Sequence, residues 1–151
     1  MSGWHMALAL LKHYLENYFG TSRSSFLVMR PADFSFEQAL PLHRTETGLK
    51  KWLTKSGHFG DVGESFVLDL KEGGKVTGQV LAETKRETML SWGEIHGVLE
   101  LKAFSMGPQK IHCVRGSGWG LSAEKAKELE GQMERAVERL AGALAGDAPS
   151  A

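Results

Sequence analysis

A long amphipathic segment near the carboxyl end is the strongest constraint that this sequence places on its fold. Apolar residues recur there at steps of four, four, three and four, as on one face of an α-helix of about 22 residues, namely Leu129, Met133, Val137, Leu140 and Leu144. Ser122 precedes the segment and can cap its first turn. Because such a helix must bury its apolar stripe, the rest of the chain has to supply one continuous apolar surface.

The residues from 64 to 115 can supply that surface, because their apolar side chains recur at every second position. The predicted strands are 66–70, 75–81, 88–94, 98–104 and 110–115. Gly73 and Gly74 predict a tight hairpin turn between the first two. Gly116 and Gly118 are expected to break the pattern as a bulge that leads into the last helix. Together these segments indicate an antiparallel meander.

Two elements are predicted at the amino end. Residues 4–19 have the spacing of an amphipathic helix, which Gly20 would end. A polar connector follows, and the short apolar run at 26–29, closed by Pro31, is more typical of a strand than of a helix.

Two short helices are predicted before the meander. Ser35 stands three residues ahead of Gln38, which is the spacing of a capping box and predicts the start of the first helix. Pro41 is expected to make this helix brief or bent. The second helix is predicted at 47–55, with its apolar residues on one side.

The charge and cysteine content exclude several classes of function. The chain carries 18 basic and 18 acidic side chains, so its formal net charge is zero, which disfavours binding to nucleic acid or to an anionic membrane. No run approaches the ~18 apolar residues that cross a bilayer, and no segment has the features of a signal peptide. The lone Cys113 excludes an internal disulfide and a multi-cysteine metal site. We therefore expect a cytoplasmic protein with no metal and no cofactor.

Several short segments resemble, in their order and spacing, the pattern of one known family. They are Glu37, Ala39 with Leu40, Thr45 and 48–53 for a first helix pair, 60–66 for the entry to a strand, 78–81 with 89–92 for paired strands, and 118–120 with 134–144 for a closing turn and helix. This pattern resembles the family named after the C-terminal domain of the heat-shock-protein-90 ATPase activator, within the SRPBCC superfamily of START and birch-pollen-allergen proteins. The match covers about residues 26–145.

The resemblance implies an α+β domain with the helix-grip fold. A curved antiparallel sheet would wrap around the long C-terminal helix, with two short helices after the first strand and an extra amphipathic helix at the amino end. The predicted organisation is therefore an N-terminal helix at 1–20, an SRPBCC-like domain at 24–146 and a disordered tail at 147–151.

The N-terminal helix lies outside the family pattern. Its apolar residues align at a fixed offset with those of the closing helix, so it is either the remnant of a lost upstream repeat or an ordinary amphipathic helix with the same spacing. Its apolar stripe must be covered by its own domain or by a second copy of the chain. The sequence favours a homodimer formed through Trp4, Leu8, Leu11 and Leu15.

The resemblance implies a non-catalytic domain that binds an apolar small molecule in the space between sheet and helix, or a protein partner through it. The residues expected to line that cavity are Trp52, Phe66, Leu68, Val80, Trp92, Leu99, Leu101, Cys113, Met133, Val137 and Leu140. Cys113 is expected to face inward because it alternates with Ile111.

Two alternatives remain open from the sequence. An enzyme of the cyclase, dehydratase or hydrolase type would need titratable groups that meet inside the cavity, and the candidates are Glu94, His96 and His112. The family name also suggests a cofactor that stimulates a chaperone ATPase, although fold resemblance does not transfer activity.

Overall fold

The computed structural model describes residues 2–146 and confirms the predicted α+β architecture. The predicted tail at 147–151 lies outside the described residues. The helices are α1 (Ser2–Asn17), α2 (Phe36–Arg44), α3 (Glu46–Lys50) and α4 (Ala123–Gly146). The strands are β1 (Arg23–Ala32), β2 (Thr54–Ser56), β3 (Ser65–Leu70), β4 (Lys75–Glu83), β5 (Glu87–Trp92), β6 (Gly97–Met106) and β7 (Gln109–Trp119), with one 3₁₀ turn, Gly93–Ile95, between β5 and β6.

The strands form one curled antiparallel sheet in the order β1-β7-β6-β5-β4-β3-β2. Only β1 departs from a simple meander, because it pairs with β7 at one edge of the sheet. The inner face of the sheet packs against α4, whose predicted stripe is buried throughout. Ser122 caps α4 through its hydroxyl, which accepts a hydrogen bond from the backbone N–H of Lys125 at 3.1 Å. The helix-grip prediction therefore holds in both its sheet and its helix.

The predicted capping box at the start of α2 is confirmed. The Gln38 N–H donates to Ser35 Oγ, and the Ser35 N–H donates to Gln38 Oε1. Pro41 does not end the helix, which continues to Arg44. The carbonyl of Pro41 accepts hydrogen bonds from both the backbone N–H and the hydroxyl of Thr45, and these bonds secure the last turn.

The prediction of a helix at 47–55 is wrong in its second half. α3 ends at Lys50, and Thr54 begins β2 by pairing with Leu70 on β3. The carbonyl of Leu53 also accepts a hydrogen bond from the N–H of Lys71 at 3.0 Å. The chain leaves the helix there because the edge of the sheet offers backbone partners, which the local helical pattern does not reveal.

The predicted break at Gly116 and Gly118 is also wrong. Both glycines lie within β7, and Gly116 pairs with Phe26 on β1 and with Leu99 on β6. A methyl group on Gly116 would collide with the ring of Phe26, and one on Gly118 would meet the carbonyl of Ile95. These glycines therefore allow neighbouring groups to approach the strand closely rather than interrupt it.

α1 packs on the outer face of the sheet, opposite α4. Its docked side comprises the buried Met6 and the partly buried Ala9, Leu10 and Tyr14, followed just beyond the helix by Tyr18, and it packs against Ala82, Met89, Val98 and Trp119. The stripe predicted to be covered, which begins at Trp4 and includes Leu8, Leu11 and Leu15, is exposed by half or more. The helix has apolar residues on two faces, and the face with the two tyrosines is the one that docks.

None of the helices within residues 2–146 combines the length and the hydropathy of a membrane-spanning segment.

Candidate functional site

Side chains fill the middle of the space between the sheet and α4, and a recess of about 380 Å³ remains at one end, where Trp92 of β5 and Leu129 of α4 help to line it. Every predicted cavity residue except Cys113 belongs to one continuous cluster of buried apolar residues. Leu99 and Leu101 of β6 are fully buried, and Met133 of α4 is 1% exposed. The structure thus places these residues together in the apolar core between the sheet and α4.

Cys113 lies on the other face of the sheet. It pairs with Met29 on β1 and with Lys102 on β6, whereas its neighbour Val114 pairs with the inward-facing Leu101. The predicted alternation with Ile111 is present, but both residues point outward. Burial raises the pKa of the Cys113 thiol, so the thiol stays protonated near neutral pH.

The three candidate catalytic residues do not meet. Glu94 and His96 are exposed around the 3₁₀ turn, where Glu94 Oε1 accepts a hydrogen bond from the N–H of Thr77 at 2.8 Å. His112 is buried near the opposite end of the β6–β7 ladder, where it pairs with Ala103. The geometry therefore gives no support to a Glu94, His96 and His112 cluster.

His112 instead pairs with His43, a residue that the sequence analysis did not single out. His43 Nε2 lies 3.3 Å from His112 Nδ1, and the two side chains are 6% and 2% exposed. Phe34 stacks on the His112 ring with its centroid at 4.1 Å. A signal for His43 was present, because it follows Phe36 and Ala39 at helical spacing and so falls on the apolar side of α2.

Both imidazoles are neutral at physiological pH. Burial lowers the pKa of His43 to about 3, assisted by the neighbouring His112 and by Arg44, and burial lowers the pKa of His112 to about 4. A neutral imidazole has one N–H donor and one acceptor nitrogen. Whichever ring donates in the shared hydrogen bond, the two remaining nitrogens of the pair are one donor and one acceptor.

One of those remaining nitrogens has no partner. His112 Nε2 is buried and makes no hydrogen bond to any described residue. A buried polar group without a partner costs about 1–3 kcal/mol, and in a native protein such a group calls for a ligand, a water molecule or another explanation. The pair is thus a polar unit with unused hydrogen-bonding capacity inside an apolar core.

A narrow cleft between α2 and strands β5 and β6 leads from the surface to His43 of this pair. Its walls include Phe36, Ala39, His43, Thr88 and Ala103. Ala103 is also the cross-strand neighbour of His112. The free volume of the cleft is about 10 Å³, which is close to the space needed for one water molecule.

The cleft opens into a wider groove along the β4–β5 turn. The groove has a volume of about 640 Å³ and shares Lys85, Arg86 and Ala103 with the cleft. The site therefore consists of a small polar end, a short apolar neck and an open mouth.

Side chains of both charges line the mouth, where Lys85 and Arg86 are accompanied by Glu83 and Glu87. Arg44 pairs with Glu83 and also donates to the carbonyl of Thr84, which ties α2 to the β4–β5 turn. The Arg86 guanidinium lies 3.6 Å from the centroid of the Phe36 ring. Arg44, Lys85 and Arg86 line the cleft, and none of the described residues in its walls carries a carboxylate.

Comparison with known proteins identifies the fold. No protein-family model matches the sequence, and neither does any curated protein. Among solved structures, the Aha1 dimer from Colwellia psychrerythraea has a TM-score of 0.68 at 16% identity, covering 80% of this chain and 96% of that chain. CalU16 from Micromonospora echinospora has a TM-score of 0.68 at 17% identity, covering 89% and 80% of the two chains.

A third similar structure is a Bacillus halodurans protein, with a TM-score of 0.67 at 17% identity, covering 80% of this chain and 96% of that chain. These similarities confirm the helix-grip fold that the sequence resemblance implied. At such identities they establish the fold alone.

Proposed function

We propose that this protein is a non-catalytic domain that binds a small molecule in the cleft between α2 and strands β5 and β6. The observation that carries the proposal is the unpartnered, buried Nε2 of His112, whose ring pairs with His43 in the wall of that cleft. Ligand sites are typically apolar recesses with a few polar groups that fix orientation. The His43–His112 pair provides such polar groups, and Phe36, Ala39 and Ala103 provide the apolar walls.

A binding role suits the chemistry of the cleft better than catalysis. General acid–base catalysis requires a group whose pKa lies near the working pH, whereas the pKa values of both imidazoles lie far below neutrality. The described walls also contain no carboxylate or thiol that could activate a histidine. The pair is therefore suited to accepting and donating hydrogen bonds to a bound molecule.

The cleft is preferred over the space beneath α4 because of the packing there. A ligand next to Leu101 would have to displace side chains that are already in contact, whereas a ligand in the cleft needs only to widen an opening that leads to solvent. Two substitutions separate the sites. Leu101→Trp adds bulk beneath α4, and Ala39→Leu adds bulk in the cleft.

The test is a titration with the neutral fluorescent probe N-phenyl-1-naphthylamine. We expect saturable binding that Ala39→Leu weakens about tenfold or more, the scale of a lost apolar contact surface of this size. Ala126→Leu is the matched control, since Ala126 is a buried alanine of α4 outside the walls of the cleft. Equal affinity of the Ala39→Leu variant and the wild type would contradict the proposed site, and loss of binding only in Leu101→Trp would place the ligand beneath α4.

Self-association through α1 is a second candidate function. Trp4 is 65% exposed and Phe19 76% exposed, and Leu8, Leu11 and Leu15 are exposed between them. An apolar groove of about 410 Å³ lies beside this stripe, so it can receive large side chains of another molecule. We propose a second copy of this chain as the occupant, because a net charge of zero opposes no pairing and one similar solved structure is that of a dimer.

Sedimentation velocity tests this second candidate. We expect the wild type to dimerise at micromolar concentrations and the Leu8→Glu/Leu15→Glu variant to remain a monomer, because the buried charges would lack partners. Val67→Glu is the control, since Val67 is an exposed apolar residue on β3, away from α1. A monomeric wild type removes the candidate.

The chaperone role rests only on the family resemblance. If the protein is such a cofactor, adding it to a purified heat-shock-protein-90 chaperone raises the ATPase rate. An unchanged rate at saturating protein would remove this role and leave the cleft untouched.

A further inference from the structure

Resting on the small-molecule function proposed above, we infer that the ligand is a small aromatic acid that carries a hydroxyl group at the end opposite its carboxylate. The hydroxyl would meet the His43–His112 pair, the ring would lie in the neck of the cleft, and the carboxylate would face the cations of the mouth. Each part of the cleft supports one part of this molecule.

The inner end favours a hydroxyl group. The unpartnered His112 Nε2 is a donor in one tautomer and an acceptor in the other, and a hydroxyl suits either case because it can both donate and accept. A carboxylate or an ammonium group at this depth would lose its hydration without gaining an opposite charge. The hydroxyl satisfies the orphaned capacity of the pair and introduces no charge into the core.

The neck favours a flat ring. The planar guanidinium of Arg86 lies against the face of Phe36 at 3.6 Å, which is the position that an aromatic ring would take on entering. Phe34 stands edge-on to Phe36, with an interplanar angle of 88°. A ring inserted against Phe36 would have to displace Arg86, whose side chain lines the groove as well as the cleft.

The mouth favours a carboxylate. Lys85 and Arg86 line both the cleft and the groove, and a planar guanidinium can bind a carboxylate through two parallel hydrogen bonds. Two carboxylates also line the groove. Glu83 forms an ion pair with Arg44, and Glu87 lies opposite Lys102 on β6. Each carboxylate thus has another cation near it, which leaves Lys85 and Arg86 to bind a carboxylate of the ligand.

The test compares three compounds by calorimetry on the full chain. They are 4-hydroxycinnamate, cinnamate, which lacks the hydroxyl, and 4-hydroxycinnamamide, which lacks the charge. We expect 4-hydroxycinnamate to bind about tenfold or more tightly than either analogue, the scale of one buried hydrogen bond or one charge-assisted contact. Equal affinities for the three compounds would overturn the inferred class.

Two variants assign the preferences to residues. His112→Phe should abolish the preference for the hydroxyl while cinnamate still binds, because the substitution removes the ring nitrogens and keeps an aromatic side chain. Arg86→Gln should abolish the preference for the acid over the amide. Lys127→Gln is the control, since Lys127 is exposed on α4 away from the cleft.

Nitrogen NMR of the wild-type protein covers the case in which His112→Phe does not fold. Adding 4-hydroxycinnamate should shift the imidazole nitrogens of His43 and His112, and cinnamate should shift them less. If neither compound moves them, the inferred contact is wrong. If none of the three compounds binds but molecules of another kind displace N-phenyl-1-naphthylamine from the cleft, the inferred ligand class is wrong and the proposed binding function stands.

Discussion

His43 Nε2 lies 3.3 Å from His112 Nδ1, although 69 residues separate the two histidines in sequence. Burial lowers the pKa of the first to about 3 and of the second to about 4, from an ordinary value of 6.5. Below pH 6.5 the unfolded chain therefore binds more protons at these sites than the folded one. The contribution of the two histidines to the free energy of unfolding should therefore be fully present above pH 6.5. It should be lost as the pH drops towards 4 and then 3.

Urea denaturation between pH 7 and pH 4.5 measures this loss. The contribution of His112 alone should be on the order of 2–3 kcal/mol across its whole range. Protonation of carboxylates also lowers the free energy of unfolding in acid. Glu72 is one of them, because hydrogen bonds from Arg139 and Arg135 lower its pKa. The comparison is therefore with the His43→Phe/His112→Phe variant, whose stability should depend less steeply on pH over this interval. Parallel curves would contradict the prediction.

The parts of the fold that the sequence predicted well are those with local causes. The stripe of α4 and the hairpin at Gly73 and Gly74 follow from side-chain period and turn chemistry within a few residues. The capping box between Ser35 and Gln38 is equally local. Local patterns of this kind predict the structure well because, in natural proteins, local preferences and the tertiary fold favour the same conformation.

The site depended on register and on distant pairing, which one sequence does not reveal. The sequence analysis grouped His112 with Glu94 and His96, but His96 precedes β6, whose first residue pairs with Gly118, whereas His112 pairs with Ala103 towards the other end of the ladder. His112 meets His43 because α2 folds back over the inner face of the sheet. The sequence did not reveal which face of α1 docks, because both faces carry apolar residues and the contacts with Ala82, Met89, Val98 and Trp119 come from distant parts of the chain.

Arg139 should contribute more to stability than its neighbour Arg135. Arg139 Nε donates to the carbonyl of Trp52, and Nη1 donates to Glu72, both at 2.9 Å. Arg135 contacts the same carboxylate but is more exposed. Arg139→Lys should lower the free energy of unfolding by about 1–2 kcal/mol, because Lys cannot serve both acceptors. Arg135→Lys should change it by less than about 0.5 kcal/mol. Equal effects in urea denaturation would refute this difference.

Tyr18 should hold α1 on the sheet. Its ring stacks on Trp119 with centroids 4.8 Å apart and planes 10° apart. Phe19, the next residue, is largely exposed and provides a matched aromatic control. Tyr18→Ala should speed amide exchange throughout α1 by about tenfold, since it removes about 1–2 kcal/mol of docking contacts. Phe19→Ala should leave the exchange unchanged, as should both variants in β3 and β4. Equal protection of α1 in the two variants would show that this stack does not dock the helix.

Gly116 of β7 should not tolerate a side chain without a loss of stability. It lies beneath the buried ring of Phe26, so the methyl group of an alanine would force that ring or the strand to move. Gly116→Ala should therefore lower the free energy of unfolding by about 1–3 kcal/mol or more, the scale of an overpacked core.

Gly142 offers the opposite case, because it is an exposed helical position of α4 with open space around an added methyl group. Gly142→Ala should stabilise the protein by about 0.5–1 kcal/mol, since alanine loses less backbone entropy in a helix. Thermal and urea denaturation of the two variants should move in opposite directions, and a neutral Gly116→Ala would mean that β1 and β7 are less tightly packed than the contact between Gly116 and Phe26 indicates.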